Sequence, residues 1–156
     1  MFTLQAFWSN TVLICGIAGW MSAQVLKTII YAFVSKSFRG ERLFGAGGMP
    51  SSHSATVCAL STSALLVYGL GSFEFAICVI LAFITMYDAM GVRRETGNQA
   101  KVINEMMAWF EKMNDKTITN NEKLKEFVGH TPLQVLVGAL LGVLIAILVC
   151  LSRGII

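Results

Sequence analysis

Only two histidines occur in the chain, and each opens a turn rich in groups that bind anions. His53 stands in the run Gly47-Gly48-Met49-Pro50-Ser51-Ser52-His53-Ser54-Ala55, between a basic loop and an apolar stretch. Glycines let a backbone turn tightly and approach a ligand closely. Pro50 suits the approach to a helix and Ser51 its N-cap. Ser52, His53 and Ser54 then fall in a first turn whose free N–H groups and dipole favour an anion. His130 stands in Gly129-His130-Thr131-Pro132-Leu133-Gln134, where Thr131 can cap a second helix with Pro132 at its first position. Two imidazoles beside helix N-termini suit phosphoryl transfer. One can attack phosphorus, the other can protonate the leaving oxygen, and cations can stabilise the equatorial oxygens. Taken singly, each turn reads equally well as a capped helix with a surface histidine.

The candidate cations and their counter-charge lie in or beside apolar segments. Lys27 sits about one turn inside the end of the first segment, where it either snorkels to the interface or serves a buried anion. Lys36, Arg39 and Arg42 occupy the loop that leads to His53. Asp88 lies about one turn inside the end of the third apolar segment and is followed by Arg93 and Arg94. A lone aspartate there costs about 2.5–3.5 kcal/mol on insertion scales, so it calls for a partner cation or histidine.

The elements that must hold these residues are membrane helices. The sequence is 55% hydrophobic and 13% charged, against roughly 25% charged in soluble domains. Apolar runs at about Thr11 to Val34, Ala55 to Leu70 with its flanks, Phe75 to Val92, and Leu133 to Leu151 each approach the roughly 20 residues that cross a bilayer core. The predicted fold is therefore all-α: a single domain over residues 1–156 with four transmembrane helices. The first run lacks a basic flank before it and is too long for the apolar core of a signal peptide, so it is expected to stay as a span. Ser51, Ala55, Ala59 and Ser63 recur every four residues, and Gly138 and Gly142 form a G-x-x-x-G pair. Both patterns allow close helix contact, within one bundle or across a homodimer. Gln99 to Met113 is amphipathic and predicts an interfacial helix with Trp109 near the headgroups. Glu122 to Val128 predicts a short helix stopped by Gly129. Cys15, Cys58, Cys78 and Cys150 lie inside the apolar runs without a C-x-x-C pair and read as small buried hydrophobes. The net charge of +3 is clustered in loops and does not suggest nucleic acid. Asp88 and Glu95 are the only acids near the motifs, too few for a hard-cation cage, so no metal or other cofactor is expected.

These residues carry a resemblance. The runs at Gly47 to Ala55, Tyr87 to Arg94 and Gly129 to Val135 resemble the divergent branch of the type 2 phosphatidic acid phosphatases, related to acid phosphatases and vanadium haloperoxidases. The parent pattern is K-x6-R-P, then P-S-G-H, then S-R-x5-H-x3-D. The resemblance implies that His53 is the general acid and that Ser51, Ser52 and His53 cradle phosphate. It makes His130 the nucleophile and Arg93 or Arg94 the arginine of the third motif. Lys27 and Arg42 would then stand for the first motif at a longer spacing. Gln134 occupies the place of the orienting aspartate. Asp88 is the candidate replacement, either orienting His130 or holding the arginines.

The function expected is hydrolysis of a lipid phosphomonoester, such as phosphatidylglycerophosphate or phosphatidate, through a phosphohistidine. The alternative is a carrier that binds a phosphate headgroup without cleaving it, and Gln134 keeps that alternative open. Orientation follows the Lys/Arg bias. Lys36, Arg39, Arg42, Arg93, Arg94, Lys101, Lys112, Lys116, Lys123 and Lys125 fall on one side, and Arg153 alone on the other. Both termini are thus expected outside a plasma membrane, with the site facing the cytoplasm and lipids of the inner leaflet.

Overall fold

The structure, a computed structural model, describes residues 4–36, 48–114, 123, 124, 126 and 128–156. Arg42 lies outside the described residues. Among them the chain is helical: α1 Leu4–Ser9, α2 Thr11–Ser35, α3 Ser52–Tyr68, α4 Phe73–Met90, α5 Val92–Asn114 and α6 Pro132–Ser152. Side-chain caps start four of these helices. Asn10 accepts from the Leu13 N–H, Ser51 from Ser54, Ser72 from Phe75 and Thr131 from Gln134.

Three helical stretches are long and apolar enough to cross a membrane: Thr11–Ser35, Phe73–Met113 and Pro132–Ser152. The apolar part of the second is α4. The remaining helix, α3, has 17 residues and spans about 25 Å at 1.5 Å per residue, against a core of about 30 Å. It is the innermost helix, packed on α2, α4 and α6, and it is rich in hydroxyls. Thr56, Ser61 and Ser63 satisfy theirs on carbonyls one turn back, at Ser52, Val57 and Ala59, and Ser61 also reaches the Cys78 carbonyl of α4 at 2.9 Å.

Packing within the bundle is by small side chains. Among the described residues the buried apolar side chains are Pro50 and alanines, valines and cysteines, while leucines, isoleucines and phenylalanines of α4 and α6 point outward. That inversion of a water-soluble core suits a lipid surround, where close backbone approach drives helix association. Ser51, Ala55, Ala59 and Ser63 are all fully buried. A side chain at Gly19 would come within 2.9 Å of the Ala55 carbonyl and the Ala59 methyl, and side chains at Gly138 and Gly142 would run into the Ser51 and Ala55 carbonyls. The glycine pair of α6 is therefore spent inside the chain, against α3. Nothing in it remains as a homodimer contact. Cys15 and Cys150 are buried with Ala59 and Ala146, and all four cysteines are free.

Two local expectations change. The amphipathic helix begins at Val92, seven residues before the predicted start, because Gly91 redirects the chain without ending helical structure. Val102, Ile103, Met106, Trp109, Phe110 and Met113 are all exposed on it. The short helix predicted at Glu122 to Val128 is absent at Lys123, Leu124, Glu126 and Val128. The side chain of Asn104 takes both backbone groups of Leu124 instead, accepting from its N–H at 3.0 Å and donating to its carbonyl at 2.9 Å. A helix there would have needed that carbonyl for itself.

Candidate active site

The starts of α3 and α6 lie side by side. The Ser51 N–H donates to the Gln134 carbonyl at 3.1 Å, so two helix N-termini, each with a positive dipole end, face one region. Ser51 is fully buried, and its hydroxyl is committed to the cap, where it meets the Ser54 N–H at 3.4 Å and the Ser54 hydroxyl at 3.0 Å. Ser52 is buried as well. What this turn offers outward is backbone N–H groups and the exposed His53 ring.

His130 arrives from the other direction. Its N–H donates to the Ala89 carbonyl at the end of α4, at 2.9 Å. Gly129 has φ of +85° and lies against the Arg93–Arg94 backbone, where any side chain would clash. Only glycine meets both demands. The result is a buried His130 whose ring centroid lies 6.3 Å from that of His53, with the planes tilted by 58°.

Gln134 fixes the tautomer of His130. Its Oε1 accepts the Thr131 N–H at 3.1 Å, closing a capping box with the Thr131 hydroxyl. A backbone N–H can only donate, so the atom it meets is oxygen. The same oxygen lies 3.2 Å from Nδ1 of His130. Nδ1 must then carry the proton, which leaves Nε2 with its lone pair. Burial pushes the His130 pKa below the usual imidazole value, and Lys27, His53 and Arg93 push the same way; the Gln134 hydrogen bond opposes them. The neutral form is the favoured one.

The other candidates divide. Lys27 is buried, donates to Gln24 Oε1 at 2.8 Å and lies against Gly48, where a side chain would come 3.3 Å from its Cγ. This is an inward position rather than a snorkelling one. Asp88 pairs with Arg93 Nε and so holds an arginine; the orienting of His130 belongs to Gln134. Arg94 lines a cavity of about 210 Å³ together with His130, Gln134, Asn98 and Glu126. Sequence reasoning passed over Asn98, Asn104 and Glu126. They carry no motif, and Asn104 acts across 22 residues through its 2.8 Å hydrogen bond to Glu126 Oε1. Among the described residues, no three His, Cys, Asp or Glu side chains gather as a metal cage.

With this geometry in view, comparison with known proteins is specific. The sequence profile described as "Divergent PAP2 family" matches residues 8–145. The chain is similar to the uncharacterized membrane protein YuiD of Bacillus subtilis (strain 168), with 41% identity over 147 residues, covering 89% of this chain and 93% of that protein. No solved structure matches.

Proposed function

The chain belongs to the divergent PAP2 family, and from that membership and the site's geometry we propose that it is a membrane phosphatase acting on a lipid phosphomonoester. The observation that carries the reading is the Gln134 oxygen on Nδ1 of His130, 3.2 Å away, with a second imidazole close by. A neutral Nε2 lone pair is what attack on phosphorus needs.

In the first step Nε2 of His130 bonds to phosphorus and the ester P–O bond breaks. The departing alkoxide takes a proton from the His53 imidazolium, giving the free lipid alcohol and a phosphohistidine. Burial, Arg93 and Lys27 lower the His53 pKa in the free site, and a bound phosphate dianion would act against them in favour of the charged form. In the second step His53, now neutral, takes a proton from water. The oxygen bonds to phosphorus, the P–N bond breaks, its electron pair returns to His130, and inorganic phosphate leaves. In-line attack needs an approach of about 3–3.5 Å to phosphorus, and protonation of the leaving oxygen a contact of about 2.6–3.2 Å. Lys27, Arg42, Arg93, Arg94 and the N–H groups of the Ser51–Ser52–His53 turn are assigned to the phosphoryl oxygens. No step is assigned to a metal ion.

The membrane arrangement that goes with this function has α3 as a fourth span, its short length and hydroxyls sheltered by α2, α4 and α6. The lysine and arginine bias puts both termini outside and the two histidines at the cytoplasmic face. The exposed apolar face of α5 rests on the inner leaflet. The test is phosphate release from phosphatidylglycerophosphate and phosphatidate by purified protein in EDTA. Acid-quenched trapping of phosphohistidine accompanies it. His130→Ala should abolish both signals. His53→Ala should slow turnover about 100- to 10,000-fold and let the intermediate accumulate. Binding of the lipids without any release by the wild type would favour the carrier, and full activity in His130→Ala would sink the mechanism.

A further inference from the structure

Lys27 belongs to a buried stripe of α2. Gly16, Gly19, Ala23 and Lys27 are all buried and recur every three or four residues, so they share one helix face. Gly19 on that face lies against the Ala55 carbonyl, near the start of α3. Lys27 stands further along the same face, about 12 Å up the axis from Gly19 at about 1.5 Å per residue. Helix side chains lean toward their own N-terminus, so the lysine stem leans back toward the level of the Ser51–Ser52–His53 turn. The same lean brings its head to the residue one turn earlier.

The residue met there is Gln24, which is buried as well. An ammonium only donates, so the amide atom 2.8 Å from Nζ is the oxygen, Oε1. Gly48, with φ of +89°, covers the stem, and a side chain there would press on Cγ and Cδ of Lys27 at 3.3 and 3.4 Å. Gly48 also lines the cavity that contains His130, Arg94 and Gln134. The lysine charge is felt beside that cavity, where it pushes the pKa of both His53 and His130 down. A lysine stem has many rotamers to lose when it is fixed in one place. Gln24 and Gly48 fix this one before a ligand arrives, so less freedom is lost on binding. The chemistry of the holding group matters too. A carboxylate at position 24 would hold the ammonium and offset its charge, whereas an amide oxygen holds it without a charge of its own.

We propose that Gln24 is a positioning residue, whose uncharged side-chain oxygen holds the Lys27 ammonium at the phosphate-binding end of the bundle. The assignment deepens the phosphatase reading and rests on its placing of phosphate beside the two histidines. Gln24 touches no reacting atom and acts through Lys27. Two amides then divide the work of orientation, Gln24 for the cation and Gln134 for the His130 ring.

The test uses the full chain in detergent, with inorganic phosphate as the binding probe and phosphatidate as the substrate. Gln24→Leu removes the oxygen and should weaken phosphate binding and lower kcat/KM by about tenfold or more. The same change made in a Lys27→Met background should cost less than about twofold, because no cation is left to position. Gln24→Glu keeps an oxygen for Nζ, yet phosphate affinity should fall about tenfold or more as the new charge opposes the anion. This variant carries the test if Gln24→Leu does not fold. An equal loss with and without Lys27 is the mark of a merely structural role and overturns the proposal. Full phosphate affinity in Gln24→Leu or in Gln24→Glu overturns it, and so does a wild type that binds no phosphate. Binding is read apart from turnover. A Lys27-dependent loss of phosphate binding supports the positioning role even where the wild type releases no phosphate and the phosphatase reading fails. Phosphate release that is indifferent to Gln24 overturns the positioning role and leaves the phosphatase reading standing.

Discussion

Changing Gln134 separates orientation from charge at His130. Gln134→Leu removes the acceptor for Nδ1 of His130 and for the Thr131 N–H. Because His130 is 5% exposed, its Nδ1–H would be left without a partner in a buried place, at about 1–3 kcal/mol. Expressed as lost transition-state stabilisation, that is about 5- to 150-fold in kcat/KM. Half of the capping box goes too, for about 0.3–1.5 kcal/mol of stability. Gln134→Glu behaves differently. Glutamate serves the capping box as well as glutamine does, so the melting temperature in detergent should hold. The new carboxylate favours the imidazolium, which raises the His130 pKa.

The sign follows directly. The rate falls at acid pH as His130 gains a proton and loses its lone pair. In the wild type, burial and the neighbouring cations hold that limb below the usual imidazole range. In Gln134→Glu the limb moves to higher pH, by about one pH unit for each 1.36 kcal/mol that the charged partner adds. The assay is the pH profile of kcat/KM for phosphate release by both variants and the wild type. An acid limb that stays in place in Gln134→Glu would refute the placing of the residue-134 side chain against Nδ1 of His130.

Two further outcomes follow from the packing and the charge pattern. Gly142→Ala should lower thermal stability by about 1–3 kcal/mol through overpacking against the Ala55 carbonyl, with the oligomeric state by light scattering unchanged; a loss of dimer with intact stability would contradict the internal role of the glycine pair. In a background without the four native cysteines, Gly71→Cys, where an added side chain meets nothing within 4 Å, should react with an impermeant thiol reagent on intact cells. Lys112→Cys, exposed on α5, should be spared, and the reverse labelling would invert the membrane orientation.

The features legible in the sequence are those written within one helix. The caps at Ser51 and Thr131 are fixed by residues three positions apart, and the buried face through Ser51, Ala55, Ala59 and Ser63 by a four-residue repeat. What could not be read joins separate elements. The glycine pair of α6 specifies close approach but not to what, and α3 is the answer. Asn104 looks like one more polar residue on the outer face of α5. Its partners, Leu124 and Glu126, lie in a segment with no periodicity to betray it.

Gln134 shows the limit of reading a motif by residue type. At the place of an orienting aspartate it looks like the loss of a catalytic group. Orientation, however, needs only an oxygen fixed in position, and the capping box fixes this one. A carboxylate there would also hold a proton on His130 more tightly. Near Lys27 and Arg93 the amide orients the ring and leaves it neutral. Asp88 is then free to hold Arg93, so the two roles of one carboxylate are divided between Gln134 and Asp88.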